Sequence, residues 1–212
     1  VLIRTVAAGV CHSDLHFQDG SYPYQLPAIL GHESAGIVEA VGSDVTYVKK
    51  GDHVITCLSA FCGHCEPCIT GRMSLCAEPE LQRDPEGPSR LAKNDEKISQ
   101  FLNLSSFAEY MLVHEHTVAK IREDMPMDIA ALIGCGVTTG IGAVIHTAKV
   151  EPGSTVAVIG CGGVGLSAIN GAALAGAARI IAIDMVPSKL ELARKFGATD
   201  VVNAGEVDPV EA

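Results

Sequence analysis

Residues 154–184 read STVAVIGCGGVGLSAINGAALAGAARIIAID. The run up to Ile159 is short, β-branched and apolar, the pattern of a buried strand. It passes without a break into Gly160-x-Gly162-x-x-Gly165, then into small residues suited to a tightly packed helix, then into a second apolar run ending at Asp184. A glycine triplet of this kind is weak evidence alone. Between a strand and a helix, with an acid 19 residues past the last glycine, it predicts an α/β unit whose loop lets the backbone approach a pyrophosphate at a helix N-terminus. A carboxylate at Asp184 accepts hydrogen bonds from an adenosine ribose and repels a 2′-phosphate, which favours NAD over NADP.

Upstream the texture changes. VLIRTVAAG, SAGIVEAVG, DHVITCL and AEYMLVHEHTVAKI are short glycine-punctuated runs that predict a mostly β domain. Residues 79–100 are polar, charged and proline-bearing, and predict an exposed loop without a core-forming period. Residues 124–150 predict helix at both ends, interrupted at Gly134-Cys135-Gly136.

The composition narrows the function classes. Charged residues make up 19% of the 212 and the formal net charge is −10, so a phosphate backbone or an anionic membrane is not an expected partner. With no tryptophan and 4% aromatics, stacking platforms for bases are not expected either. No apolar run reaches eighteen residues, and the N-terminus has no basic region or cleavage pattern of a signal peptide. Eight cysteines without such a signal predict the reducing cytoplasm.

Four of those cysteines, Cys62, Cys65, Cys68 and Cys76, follow C-x2-C-x2-C-x7-C, with Gly63 and Pro67 between the early members. This spacing lets one loop wrap a tetrahedral zinc ion, and four thiolates leave no open position, so the site is expected to be structural. An iron–sulfur cluster is the competing reading of the first three.

Cys11 in GVCHSDLH, His32 in GHESAGIVEAVG and Cys135 in GCGVTTG are too far apart for spacing alone to unite them. Together with KKGDHVI, CGHCEPCITGRMSLC and VIGCGGVGLSAI, these motifs closely resemble the zinc-containing medium-chain alcohol dehydrogenases, in that family's order and over essentially the whole chain. The resemblance implies a β-rich GroES-like catalytic domain over 1–136, followed by the first half of a Rossmann NAD-binding domain over 137–212. It implies two zinc ions per chain: a catalytic one on Cys11, His32 and Cys135, and a structural one on the four clustered cysteines. Two thiolates and an imidazole leave a fourth position, where an alcohol is held as its alkoxide and gives hydride to NAD.

The same resemblance assigns neighbours. Asp14 is expected to fix the tautomer of His32, and Glu33 to lie close behind the zinc, its bland alternative being a solvated loop carboxylate. Ser13 and His16 match the family's proton relay. His12 matches a position facing the cofactor pyrophosphate, Thr139 one near the nicotinamide, and Lys189 one reaching the ribose; a surface histidine, a helix-capping threonine and a solvated lysine are the alternatives. With Gly160, Gly162, Gly163, Val164, Gly165 and Asp184 these complete the expected cofactor contacts. His53, His64, His114, His116 and His146 receive no role, and Cys57 and Cys161 read as small buried or turn residues.

The expected activity is NAD-dependent interconversion of an alcohol and its carbonyl; a thiol-dependent formaldehyde dehydrogenase is the alternative, and a non-enzymatic zinc- or nucleotide-binding module fits seven zinc ligands poorly. Small-molecule alcohols and aldehydes are the expected partners, with a homodimer or homotetramer for the full-length enzyme. Val1 opens directly in a strand and the chain stops soon after DVVNA, so the sequence reads as an internal piece of a longer enzyme. Residues 1–212 alone are expected to show negligible turnover.

Overall fold

A computed structural model describes residues 1–78, 81 and 90–212, in two units, Val1–Cys135 and Gly136–Ala212. In the first unit, β1 (Leu2–Gly9) leads into α1 (His12–Gln18), the short β2 (Ala28–Ile29) and β3 (Glu33–Ala40). Then come β4 (His53–Thr56), the one-turn α2 (Glu66–Ile69), β5 (Leu91–Lys93), β6 (Glu96–Gln100), β7 (Tyr110–Leu112), β8 (Val118–Lys120) and α3 (Met127–Ala131).

Five strands form an antiparallel sheet in the order β7-β1-β3-β4-β8, and β2-β6-β5 form a second sheet. Alternation along β1 turns Ile3 inward to full burial, where it meets Val38, Val54, Leu104, Met111 and Val118. Where α3 lies against the sheet the buried residues are small, Ala35 with Ala130 and Ala131, so the helix can approach the strands closely.

Two expectations change. AEYMLVHEHTVAKI is not one strand but β7 and β8, which take opposite edges of the sheet. The break is made by His114, whose Nδ1 accepts from the His116 amide at 3.1 Å while its carbonyl accepts from Thr117 Oγ1 at 2.7 Å. The predicted loop over 79–100 is also wrong where the structure describes its end. Residues 91–100 form a hairpin, Leu91 facing Ile98 and Lys93 facing Glu96. Its two-residue turn, Asn94 and Asp95, has both φ values positive, as the right-handed twist of paired strands demands. The many charges hid the alternation. Residues 79, 80 and 82–89 of that expected loop lie outside the described residues.

The second unit starts with α4 (Gly136–Gly142), which widens into a π-helical turn over Ala143–Ala148. β9 (Thr155–Ile159), α5 (Gly163–Leu174), β10 (Arg179–Asp184), α6 (Pro187–Lys195) and β11 (Asp200–Asn203) follow. The three strands are parallel in the order β11-β10-β9, which matches half of a doubly wound sheet. Ile169, Ala172, Ile180, Ala182 and Ala193 form its buried centre. The glycine loop binds its own ends together. Gly160 has φ +91°, and a Cβ on Gly165 would stand 1.8 Å from the Gly160 carbonyl oxygen. Among the described residues, no single helix is long and apolar enough to cross a membrane.

Gly165→Ala is therefore expected to destabilise the protein by about 3 kcal/mol, because backbone rather than a flexible side chain must give way. Gly142→Ala, where an added Cβ meets nothing within 4 Å, is the control and should leave the melting temperature unchanged or slightly raised. Thermal unfolding of the two variants checks the pair.

Candidate metal centres and nucleotide-binding loop

Cys11, His32 and Cys135 come from three segments of the first unit, yet their ligand atoms all lie within 4.8 Å of one another. The sheet explains two of them. β1 and β3 are antiparallel with Gly9 opposite Glu33, so Cys11, just past the end of β1, and His32, just before β3, meet at the same edge. Cys135 arrives from the single-turn 3-10 helix Leu132–Gly134. Gly134 permits that approach, since a Cβ there would stand 2.3 Å from the Thr56 carbonyl oxygen at the end of β4.

Asp14 ties these segments together. One carboxylate oxygen accepts from the Cys11 amide at 3.0 Å, and the other accepts from the Gly31 amide at 3.1 Å. The latter oxygen also lies 3.3 Å from His32 Nδ1, close enough for an ion pair but off the line of a hydrogen bond. Asp14 and His32 are 4% and 2% exposed, so this contact lies away from solvent. With Nδ1 turned to Asp14, Nε2 is the nitrogen left for a ligand. Two thiols and an imidazole held this way fit zinc, and they leave a tetrahedral position free. Glu33 is buried next to His32; its carboxylate lies over Gly9, where a Cβ would come within 2.3 Å of Oε2. It is not the solvated loop carboxylate of the alternative reading.

Ser13 and His16 share α1 with Asp14. His16 packs edge-on against the exposed His12 at 4.7 Å between centroids and lies 5.0 Å from Tyr22, with its Nδ1 buried and unpartnered among the described residues.

The second cysteine set is tighter. Sulfur–sulfur distances are 3.4 Å for Cys65–Cys68 and 3.8 Å for Cys62–Cys68 and for Cys65–Cys76. Zinc–sulfur bonds of about 2.3 Å at tetrahedral angles place sulfurs about 3.8 Å apart. A cluster, whose cysteines sit on separate irons, would spread them wider, and a disulfide would bring two to about 2.05 Å. All eight cysteines are free thiols. The set fits one tetrahedral ion.

Its electrostatics agree. Burial opposes ionisation of Cys62, but amides of His64 and Cys65 and the thiols of Cys65 and Cys76 donate to it and bring it down to about 6. Cys65 accepts an amide bond from Cys68, yet burial and the neighbouring thiols push it up to about 12. Four thiolates cannot crowd together without a cation among them.

Sequence reasoning missed what anchors this lobe. His116, which it left without a role, stacks on Phe61 at 4.7 Å and 11° between planes, with Nδ1 2.5 Å from the Phe61 carbonyl oxygen. Phe61 directly precedes Cys62. Cys57, expected to be small and buried or in a turn, is exposed, whereas Cys161 is buried.

In the second unit, Gly162 caps α5, and Gly163, Val164 and Gly165 form its first turn, Val164 being 46% exposed. Asp184, at the end of β10, accepts from the Cys161 amide at 2.8 Å and from the Val186 amide at 2.9 Å, with Lys189 Nζ 4.0 Å away. The Cys161 and Val186 amides hold its carboxyl below the usual range. This clamp on the glycine loop was not legible from the motif. Thr139 lies exposed within α4, neither capping it nor buried against it.

Comparison with known proteins agrees with both units. Residues 1–123 match the family described as "Alcohol dehydrogenase GroES-like domain", and residues 163–212 match "Zinc-binding dehydrogenase". The chain belongs to the zinc-binding alcohol dehydrogenase family. An S-(hydroxymethyl)glutathione dehydrogenase of Escherichia coli O1:K1 / APEC is 48% identical over 213 residues, 98% of this chain and 58% of that protein. Among solved structures, an alcohol dehydrogenase zinc-binding domain protein from Burkholderia ambifaria superposes with a TM-score of 0.92 at 44% identity. Benzyl alcohol dehydrogenase from Acinetobacter calcoaceticus gives 0.86 at 42%. Both superpositions cover 100% of this chain and 58% of the other, so the chain spans little more than half the length of the relatives it matches.

Replacing Asp14 by Ala would leave the buried Gly31 amide and the half-buried Cys11 amide without their acceptor, and the His32 ring without its neighbouring carboxylate. The expected result is a loss of about 1–3 kcal/mol of stability per abandoned donor at most, and metal affinity at the three-ligand set lowered about 10–100-fold. Metal analysis after dialysis, beside thermal unfolding, checks both effects.

Proposed function

We propose that this chain carries the zinc-binding and part of the nucleotide-binding machinery of an NAD-dependent zinc alcohol dehydrogenase, acting on a primary or simple secondary alcohol. The convergence of Cys11, His32 and Cys135, drawn from three distant segments in a chain of this family, carries the reading. Zinc at that set, with NAD bound, supplies acidification of a hydroxyl and a hydride acceptor. The chain's own residues then have definite tasks. Asp14 holds the His32 ring in orientation, and Glu33 sets the field behind the ligands. Ser13, which would accept the substrate proton only as it passes its own on, and the His16 ring, one turn further along α1, are the protein groups of the relay that carries that proton to water. Gly160, Gly162, Gly163, Val164 and Gly165 admit the pyrophosphate, with His12 as its cationic partner when protonated. Asp184 and Lys189 take the ribose, and Thr139 the nicotinamide. Residues 1–136 act as the catalytic domain and 137–212 as the nucleotide-binding part.

A second reading is supported by the name of the 48%-identical relatives: oxidation of a hydroxymethyl-thiol adduct. Formaldehyde oxidation by the full-length enzyme, with and without glutathione, separates the two. Net charge −10 supports an enzyme without nucleic-acid or anionic-membrane partners, the eight free cysteines support a reducing cytoplasmic setting, and the family resemblance supports a homodimer or homotetramer.

Two zinc ions per chain are expected, with unlike consequences when removed. In the full-length enzyme, Cys135→Ser should abolish activity and one zinc while leaving the protein folded; Cys68→Ser should cost folding, since a structural ion contributes directly to stability. One zinc per well-folded wild-type chain overturns the assignment.

For cofactor choice, Asp184→Ser should narrow the gap between NAD and NADP affinity by roughly tenfold or more, from the loss of charged hydrogen bonds worth about 1.5–3 kcal/mol each. The ratio of the two dissociation constants is the measurement, because loosening of the loop clamp weakens both cofactors alike.

A further inference from the structure

The four-cysteine set has a neighbour that the function described so far does not use. Ligand atoms of Cys62, His64 and Glu78 also lie within 4.8 Å of one another. Cys62 belongs to both sets, and a thiolate keeps enough lone pairs to bridge two ions. The donors are one sulfur, one nitrogen and one carboxylate oxygen, a mixture that suits zinc and similar borderline divalent ions.

The two sets differ in access. Cys68, at the back of the four-sulfur set, is 8% exposed, whereas His64 is fully on the surface. Glu78 and Cys76 line an open cavity of about 320 Å³ together with Ser59, Ser74 and Asn103, so solvent reaches the carboxylate side directly. Four thiolates enclosing an ion leave it no vacant position through which to exchange. An incoming ion can instead take Cys62 first.

We propose that Cys62, His64 and Glu78 form a loading site for a second thiophilic divalent cation, through which the ion of the four-cysteine set is exchanged. The incoming ion trades three waters for the Cys62 thiolate, a His64 ring nitrogen and a Glu78 oxygen. Cys62 then bridges both ions, weakening its hold on the resident one. No electrons move, and each ion keeps its charge. The inference rests on the four cysteines holding a metal.

Cadmium is the probe, because its NMR resonance separates a set of four sulfurs from one of two sulfurs and a nitrogen, and from one of sulfur, nitrogen and oxygen. The zinc-loaded full-length protein, titrated with cadmium, should develop all three resonances. The mixed sulfur–nitrogen–oxygen resonance should vanish in His64→Ala and in Glu78→Gln while the other two persist, which also reports that each variant is folded. In both variants, cadmium should replace zinc in the four-sulfur set about tenfold more slowly. Two resonances at any cadmium excess, a third that survives both substitutions, or an unchanged replacement rate would each overturn the loading site. A missing four-sulfur resonance with zinc still held there would likewise overturn the loading site, whereas a set that holds neither zinc nor cadmium would overturn the metal assignment of the four cysteines.

Discussion

The first unit is organised around one buried carboxylate. Between Cys11 and His32 the chain leaves β1, makes α1, wanders through a loop and returns to β3, and nothing in the strand register alone determines where that excursion closes. Asp14 closes it. Its oxygens accept amides from both ends of the excursion, Cys11 and Gly31, and face the His32 ring as well. A carboxylate at 4% exposure is expensive to bury, and only such partners make it tolerable. The same bonds that settle the cost of burial also place two of the three metal-binding side chains. Stability and ligand geometry are therefore one problem at this position.

The cysteine lobe rests on different physics. α2 spans four residues and buries only Cys68, while Ile69 and Leu75 stand 70% and 61% exposed. Such a segment has too little apolar surface to hold its shape by burial. Its thiols, 3.4–3.8 Å apart in the closest pairs, repel one another once ionised, so the lobe needs a cation to persist in this form. The stack of His116 on Phe61 adds a fixed point next to the first ligand. The exposed His64 and the half-buried Glu78 are then the groups proposed to pass an ion to a set that, once filled, has no opening of its own.

In the second unit the constraint is closeness. Gly165 presses on the Gly160 carbonyl, and Asp184 reaches across from the end of β10 to hold the Cys161 amide. The acid that is proposed to receive the ribose is thus also part of the loop that is proposed to receive the pyrophosphate. Its low carboxyl pKa follows from those amide bonds and keeps it ionised over the ordinary pH range.

Local pattern alone was enough for several features. The parallel α/β unit was readable because strand, glycine turn, helix and acid follow one another within 31 residues, and the four-cysteine set because its ligands lie within one loop. The strand over VLIRTVAAG and the break at Gly134-Cys135-Gly136 were legible for the same reason. Other features depend on groups that meet only after folding. Cys11, His32 and Cys135 could be joined only by family resemblance, since the antiparallel register of β1 and β3 and the close pass of Gly134 over Thr56 bring them together. The hairpin over 91–100 was hidden by charges that a solvated strand tolerates, and the split of β7 from β8 by a histidine side chain competing for backbone bonds. Asp14 holding two amides, Asp184 clamping the glycine loop, His116 on Phe61, and His64 with Glu78 beside Cys62 leave no mark on spacing or period. Each joins residues whose separation in the chain carries no signal, because tertiary hydrogen bonds and ligand sets depend on distance in space.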